Sequence, residues 1–200
     1  ILFLERGLDL LKPGGRLGIV LPEGIFNNPS LAYVREFCED RAFIRTVVSL
    51  SQDTFVSSGA SVKASLLFMQ KFSETEKADF DKKRAAAEAE TRAKYQPDLD
   101  RETTRLETEI STAKEARDVD HRKKAQAELR DIQRKMEERI QAESRALLKE
   151  RFPYAIFLYE AEKVGISSTG EADQNELYPN PNQPPDTEGK TCLELYRAFL

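Results

Sequence analysis

Histidine and cysteine are scarce in this chain of 200 residues. His121 is the only histidine, and Cys38 and Cys192 are the only cysteines. These numbers argue against histidine-based catalysis, a zinc cluster and a disulfide framework. Two isolated cysteines are typical of a protein in a reducing compartment, so we expect a cytoplasmic location.

The chain also lacks an excess of positive charge and any long apolar run. It has 31 Lys and Arg against 35 Asp and Glu, a formal net charge of −4. Free-standing DNA-binding proteins usually carry an excess of Lys and Arg, so DNA contact here would depend on a few placed residues or on parts outside this chain. No apolar run approaches the roughly 20 residues that span a membrane, and we expect no membrane partner.

The opening segment predicts a helix, a turn and a strand. Apolar residues recur at helical spacing from Leu4 to Leu11, and Pro13–Gly15 stops the helix because proline cannot continue it and glycine accepts positive φ. Leu17–Leu21 is a short apolar run of the kind buried in a parallel sheet. Pro22–Gly24 then ends the strand at the edge where such sheets place ligands.

The next segment predicts a helix and a strand pair. Leu31–Asp40 continues as a helix, with Ser30 as its N-cap. Ile44–Leu50 and Val62–Lys71 are rich in β-forming residues and are separated by a loop that contains Gly59, so we expect a hairpin.

The last 50 residues are more varied. Tyr154–Glu160 is an apolar strand or helix, and Gly165–Gly170 predicts a turn. Asn180–Pro185 is a linker, and Cys192–Leu200 predicts a short terminal helix.

Between these parts, Glu74–Arg151 contains 20 basic and 20 acidic residues, and no glycine occurs from Ala60 to Val164. Good helix formers dominate, and mixed charge is typical of the solvated faces of long helices. Sparse apolar residues form two stripes at intervals of three, four and seven. The stripes are Leu99, Leu106, Ile110 and Ala113, then Leu129, Ile132, Met136, Ile140 and Leu147.

The two stripes predict an antiparallel helical hairpin whose turn lies at Asp118–His121. Pro97 suits the first turn of the helix that contains Leu99, so we expect a separate helix over Glu76–Lys94. Arg122–Lys124 is either a DNA-binding patch or a solvated helix face, and acids one turn away favour the solvated face.

Four segments carry a resemblance to a known family. The string LLKPGGRLGIVLP resembles the fifth-strand region of S-adenosylmethionine-dependent methyltransferases. The strings GIFNNPSLAYVREF, VVSLSQDTFVSSGASVKASLLFMQK and IFLYEAEKVG narrow this to the adenine-specific DNA methylases, the modification subunits of type I restriction systems. The resemblance covers residues 1 to about 72 and about 152 to 200.

The resemblance implies the fold class of the flanks, and the charged, glycine-free stretch between them sets the domain boundaries. We expect an α/β fold: the C-terminal portion of a Rossmann-like methyltransferase sheet with a long antiparallel helical, coiled-coil hairpin inserted. The α/β core then occupies residues 1–73 and 152–200, and the hairpin occupies residues 74–151.

The resemblance also implies S-adenosylmethionine as cofactor, and DNA and the specificity and restriction subunits as partners. In the family, the glycine-rich donor loop and an Asn-Pro-Pro-aromatic motif lie upstream of the helix with which this chain opens. Neither motif occurs here, since Asn27–Ser30 lacks the second proline and the aromatic. We therefore expect a fragment that has no catalytic residue and is inactive alone. The alternative is a coiled-coil interaction module, with self-association through the hairpin.

Three residues are candidates for DNA or substrate contact. By resemblance, Phe55 lies where the family stacks a phenylalanine on the flipped base, although it fits equally as a plug in the core. Lys63, in a polar loop with Gly59, either contacts a phosphate or is simply solvated. Glu23 either touches substrate or caps the loop after the first strand.

Overall fold

The computed structural model describes residues 2–179 and 190–200. The chain divides into two compact units, Ile1–Lys77 with Tyr154–Leu200, and Ala78–Pro153. We call them the sheet unit and the helical unit. The elements in chain order are α1 (Leu2–Leu10), β1 (Arg16–Pro22), α2 (Gly24–Asn27), α3 (Ala32–Glu39), β2 (Ala42–Leu50), β3 (Ala64–Lys71), α4 (Glu74–Glu115), α5 (Val119–Arg151), β4 (Phe157–Ala161), β5 (Val164–Ile166), β6 (Ala172–Asn175) and α6 (Cys192–Phe199).

The sheet unit contains a four-stranded mixed sheet in the order β1-β3-β2-β4. β3 runs antiparallel to both β1 and β2, and β4 runs parallel to β2. β5 and β6 form a separate antiparallel pair. The apolar segment before Glu160 is therefore a strand, and the α/β class with a mixed sheet is confirmed.

The prediction that β1 is buried in parallel pairing is wrong for this chain. In the described residues its hydrogen-bonded neighbour is the antiparallel β3, and its side chains alternate between exposed and half-buried positions along Arg16–Val20. A short apolar run fits both arrangements, because the direction of the neighbouring strand is not encoded in the run itself.

Two apolar clusters lie on the opposite faces of the four-stranded sheet. One joins α1 and α3 to the sheet, and the other joins α6 to β2 and β4. Side chains alternate between the faces along each strand, so neighbouring residues of β2 serve different clusters. The buried members are Leu4, Leu8, Leu21, Val34, Cys38, Ala42, Leu67 and Met69 on the first face, and Val48, Leu50, Ala161 and Cys192 on the second.

The end of α1 is closed by a residue far along the chain. Nζ of Lys71 donates to the carbonyl oxygens of Leu8 at 2.8 Å and Leu11 at 2.9 Å. Gly14 then adopts a φ of +74°, as the glycine in the predicted turn requires. A cation at the carboxyl end of a helix satisfies its free carbonyls, so β3 and α1 hold each other in place.

The predicted N-cap Ser30 is wrong. The side chain of Asn28 accepts a hydrogen bond from the Ser30 backbone N–H at 2.9 Å and caps a 3-10 turn over Pro29–Leu31. α3 begins only after this turn, and its N-cap residue Leu31 makes no side-chain cap hydrogen bond. The amide oxygen of Asn28 can accept this hydrogen bond as a serine hydroxyl would, so the capping residue is Asn28, two residues before the predicted Ser30.

The helical unit is an antiparallel helix pair. Cross-helix ion pairs join Arg92 to Glu137 and Arg105 to Glu128, both at 2.9 Å, so residue numbers rise on one helix as they fall on the other. Leu106 and Ile140 are completely buried. The helices meet slightly earlier than predicted, between Glu115 and Val119, and Asp118 caps α5 by accepting from the backbone N–H of His121 at 3.0 Å.

The predicted helix boundary near Pro97 is wrong, because α4 runs unbroken from Glu74 to Glu115 with Pro97 inside it. Proline removes one backbone hydrogen bond and leaves the carbonyl four residues earlier without its partner. Pro97 and Ala93 both lie on the exposed side of α4, so water can satisfy that carbonyl.

None of the described helices is long and apolar enough to cross a membrane. α6 forms where a terminal helix was predicted, and its Thr191 and Glu194 make a capping box. The predicted linker Asn180–Pro185 lies outside the described residues.

Candidate functional site

The three candidate residues lie at one edge of the four-stranded sheet. Glu23 follows the end of β1, Lys63 precedes the start of the antiparallel β3, and Phe55 lies in the connection after β2. The register pairs Pro22 with Ala64, and Ser49 with both Ser65 and Glu160. The carboxyl ends of β1, β2 and β4 therefore meet here, and we call this region the carboxyl edge.

Glu23 is held at the carboxyl edge by both its backbone and its side chain. Its backbone N–H donates to the carbonyl of Lys63 at 3.0 Å, and its Oε2 accepts a hydrogen bond from the hydroxyl of Ser65. Ser65 is 1% exposed. Glu23 makes no side-chain cap hydrogen bond to α2. Its carboxylate is thus oriented by β3, with the backbone of β1 and β3 fixing its position.

Lys63 makes an ion pair at the same edge. Its Nζ lies 3.0 Å from Oε1 of Glu160 in β4. The Lys63 side chain is 34% exposed and that of Glu160 is 70% exposed, so water screens the pair. A phosphate that approached Lys63 would compete with the Glu160 carboxylate for one ammonium group.

Phe55 lies in a 3-10 turn over Gln52–Ser58. Its side chain is half-buried and packs against the second apolar cluster, which includes Val48 and Leu50. Gly59 ends the turn with a φ of +83°, and its N–H donates to the carbonyl of Val56 at 2.9 Å. The Phe55 ring therefore meets the core on one side and leaves part of its surface accessible.

A polar row that sequence reasoning missed crosses the sheet behind these residues. Ser65 and Ser49 are direct cross-strand partners, and Glu160 is the partner of Ser49 on the other side. The Ser49 hydroxyl oxygen is shielded from solvent and has no hydrogen-bond partner among the described residues. Serines inside apolar strands were the available signal, but only the register shows that they are neighbours.

The turn between β5 and β6 lies against the loop that carries Phe55. A Cβ placed on Gly170 would lie 3.5 Å from Cβ of Ser57, which is an ordinary contact distance. Gly170 also has a φ of +89°, which a glycine adopts without strain. The predicted turn over Gly165–Gly170 thus borders the carboxyl edge, flanked by the short strands β5 and β6.

Neither cysteine serves as a nucleophile at the carboxyl edge. Burial raises the pKa of the Cys192 thiol, which belongs to the second apolar cluster. Burial likewise raises the pKa of Cys38 to about 11. Both thiols are therefore protonated at neutral pH, whereas nucleophilic chemistry needs the thiolate.

The glycines of the sheet unit lie in open space or against neighbouring side chains and backbone. Gly14, Gly24 and Gly59 face open space, and Gly7 and Gly18 face the side chains of Leu17 and Phe68. Within residues 2–179 and 190–200, no three His, Cys, Asp or Glu side chains are placed to hold a metal ion.

Comparison with known proteins gives the family. A family model described as N-6 DNA methylase matches residues 1–143. The chain belongs to the N-6 DNA methylase family, which is a family of methyltransferases. The match continues into the helical unit and stops before residues 152–200, over which the resemblance was also expected.

One solved structure is similar over a shorter stretch. It comes from Listeria monocytogenes and has been assigned to the class I S-adenosylmethionine-dependent methyltransferases. The two chains are 30% identical over 36% of this chain and 22% of that chain, with a TM-score of 0.32. This chain thus spans about a fifth of that protein's length. No curated protein matches.

Proposed function

We propose that this chain is the C-terminal part of the methyltransferase domain of an adenine-specific DNA methylase, the modification subunit of a type I restriction–modification system. The intact protein would transfer a methyl group from S-adenosylmethionine to the exocyclic amine of adenine. The observation that carries the proposal is the family match over residues 1–143. The specificity and restriction subunits are the proposed protein partners, and DNA is the proposed substrate.

The carboxyl edge is the proposed contact with the target base. Methylation of an amine inside a duplex requires the base to leave the stack and enter a pocket. Phe55 would stack on that base with the accessible part of its ring, and stacking is worth roughly 1–3 kcal/mol per base. Lys63 would exchange Glu160 for a phosphate, and Glu23, oriented by Ser65, would face the substrate.

The donor site and the catalytic tetrapeptide are proposed to come from parts of the protein outside these 200 residues. The sequence has neither the glycine-rich donor loop nor the Asn-Pro-Pro-aromatic motif of the family. The chain alone is therefore proposed to be inactive. The proposed boundaries remain residues 1–73 and 152–200 for the α/β core and 74–151 for the insertion.

The test uses the complete protein with its specificity subunit, methyl-labelled S-adenosylmethionine and duplex DNA. Digestion of the product should release labelled N6-methyladenine. The 200-residue chain, titrated with S-adenosylmethionine in a calorimeter, should show no binding. Label on cytosine would contradict the proposed chemistry, and micromolar cofactor binding by the chain alone would contradict the proposed position of the donor site.

The second candidate function is a coiled-coil interaction module without catalysis. The observation that favours it is the length of α4 and α5 together with the ion pairs that join them, since interhelical ion pairs in coiled coils set the choice of partner. Light scattering of the chain, alone and with the specificity subunit, tests it. Complex formation that is lost with the helical unit, from a protein that never methylates DNA, would favour the module.

A further inference from the structure

Cations without an ion-pair partner are concentrated at one end of the helical unit. We call residues 114–124 the hairpin tip. Away from it, cations such as Arg92, Lys94 and Arg151 have an acidic partner within 3 Å. The tip cations have no ion pair with any described residue, and all but the half-buried Arg122 are exposed. These cations are Lys114, Arg117, Arg122, Lys123 and Lys124.

The acids near the hairpin tip make no ion pair with these cations. Asp118 uses its carboxylate to cap α5, and Glu128, one turn further along, pairs with Arg105 at 2.9 Å. Glu115 and Asp120 make no ion pair with a described residue. Lys123 and Lys124 are exposed on α5, as expected for a solvated helix face, and neither pairs with an acid among the described residues.

Three of these cations lie where a helix disfavours them. Arg122, Lys123 and Lys124 occupy the first two turns of α5, and the amino end of a helix carries the positive end of its macrodipole. Nε of Arg122 is shielded from solvent and lacks a hydrogen-bond partner among the described residues. An anionic partner at the exposed Lys123 and Lys124 would offset the unfavourable interaction of these cations with the helix end.

The form of the tip fits a polyanion better than a folded protein surface. Consecutive helical residues point about 100° apart, so three successive cations spread around the axis. Protein interfaces need an apolar or aromatic centre, and the only large apolar side chain exposed at the described tip is Val119. A phosphate backbone needs no such centre, because released counterions drive its binding.

We propose that the hairpin tip is a sequence-independent contact for the phosphate backbone of duplex nucleic acid. The contact lies in the helical unit, and it requires neither the cofactor nor the residues of the carboxyl edge. Its failure would therefore leave the proposed methyltransferase function untouched, and the reverse also holds.

The experiment measures binding of the 200-residue chain to a fluorescent 30-base-pair duplex as a function of salt. The tip variant K123Q/K124Q is compared with K82Q/R130Q, which removes two exposed and unpaired cations elsewhere on the helical unit. Both variants change the net charge equally. Each lost phosphate contact lowers the slope of log K against log salt by about 0.9, so the tip variant should lose up to about 1.8 and the control almost nothing.

Three results would overturn the proposal. The first is no measurable duplex binding by the unmodified chain at low salt. The second is an equal change of slope in the two variants, which would indicate a general charge effect. The third is displacement of the duplex by poly-glutamate as effectively as by unlabelled duplex at equal charge, which would indicate an acidic protein partner.

Discussion

The sheet unit and the helical unit are stabilised in different ways. The sheet unit buries apolar residues on both faces of a mixed sheet, in two clusters that include Leu8 and Val48. The helical unit relies on a narrow line of buried residues, among them Leu106 and Ile140, and on many exposed ion pairs. Exposed ion pairs contribute little each, so the few buried residues carry most of the stability of the helical unit.

The difference extends to chemistry. The carboxyl edge brings a carboxylate, an ammonium group and a half-buried ring to one place in the sheet unit. The helical unit offers charge alone. Functional groups at a sheet edge are fixed by strand register, whereas charges on a helix are fixed by spacing within one element.

Deletion of the helical unit is expected to have the largest effect. Replacing Ala78–Pro153 with a short Gly/Ser linker should remove most of the helical signal and leave the sheet intact. The linker can be short because the ring of Phe43 contacts both Phe72, at 4.7 Å, and Tyr154, at 5.2 Å, so the two chain ends of the sheet unit are close. Circular dichroism and amide exchange measure the outcome.

Retained protection of β2 and β3 amides is the expected result, since loop-closure entropy changes slowly with loop length. Loss of protection throughout the sheet would show that the sheet unit depends on the helices. The two units would then not be stabilised separately. The same linker inserted without deletion, between Asp118 and Val119, is the control for linker chemistry.

Local elements were largely predictable from the sequence. Helical spacing and the Pro-Gly-Gly stop located α1, and β-rich runs around Gly59 located the β2–β3 hairpin. The continuous α4 was not predictable, because the cost of Pro97 depends on whether the freed carbonyl is solvated. The antiparallel partner of β1 was not predictable either, because it depends on a pairing about 50 residues away.

Placing a single charge among the buried residues of the helical unit should have the next largest effect. Ile140 is 0% exposed, so Ile140→Asp places a carboxylate among α4 side chains without a partner. We expect a loss of about 3–5 kcal/mol in the stability of the helical unit, measured by urea titration of its helical signal. Gln133→Asp, on the exposed side of α5, should change it by less than about 0.5 kcal/mol.

An equal loss from both variants would show that helix propensity, and not burial, controls the helical unit. The sheet unit, followed by exchange of β3 amides, should be unaffected by either variant.

Acid should weaken the helical unit most strongly through the cluster around Glu143, although Glu137 and Asp131 also have lowered pKa values. Hydrogen bonds from Lys94 and then from Tyr95 and Arg139 lower the pKa of Glu143 from its ordinary 4.5 to about 2. A depressed pKa stabilises the folded state above the unfolded value, and this contribution is lost as pH falls from about 4.5 towards 2. In Glu143→Gln, the melting temperature of the helical unit should therefore depend less on pH in this range.

Glu107→Gln is the matched control, because Glu107 is exposed on α4 and makes no ion pair with a described residue. Its pH profile should follow that of the unmodified chain. Identical profiles for Glu143→Gln and the unmodified chain would contradict the role of this cluster.

The candidate site was predictable in part. Phe55, Lys63 and Glu23 were chosen from loops at strand ends, and the structure places them along one edge of the sheet. The supporting residues Ser65, Ser49 and Glu160 were missed, because their relation depends on the register of three strands. The structure also shows that Glu23 accepts a hydrogen bond from Ser65 and that Lys63 pairs with Glu160. Residue spacing in the sequence does not reveal these partners.

Removal of the Lys63 charge should have the smallest effect on folding. Lys63→Gln breaks an exposed ion pair with Glu160, so we expect a change of about 0–1 kcal/mol in the unfolding free energy of the sheet unit. In the complete enzyme, the same variant should lower the salt slope of DNA binding by about 0.9 if Lys63 contacts a phosphate. Glu160→Gln, which frees Lys63, should not weaken binding; a matching loss would show that the pair only stabilises the fold.

Phe55→Ala in the complete methylase tests the account most directly. Its partner variant is Val56→Ala, in the same 3-10 turn, where the side chain is 37% exposed. We predict that Phe55→Ala lowers kcat/KM for adenine methylation by about 1–3 kcal/mol in transition-state terms while the protein remains folded, and that Val56→Ala has little effect. Unfolding of the sheet unit by Phe55→Ala, with methylation unchanged in the fraction that stays folded, would contradict the assignment of this edge to the target base.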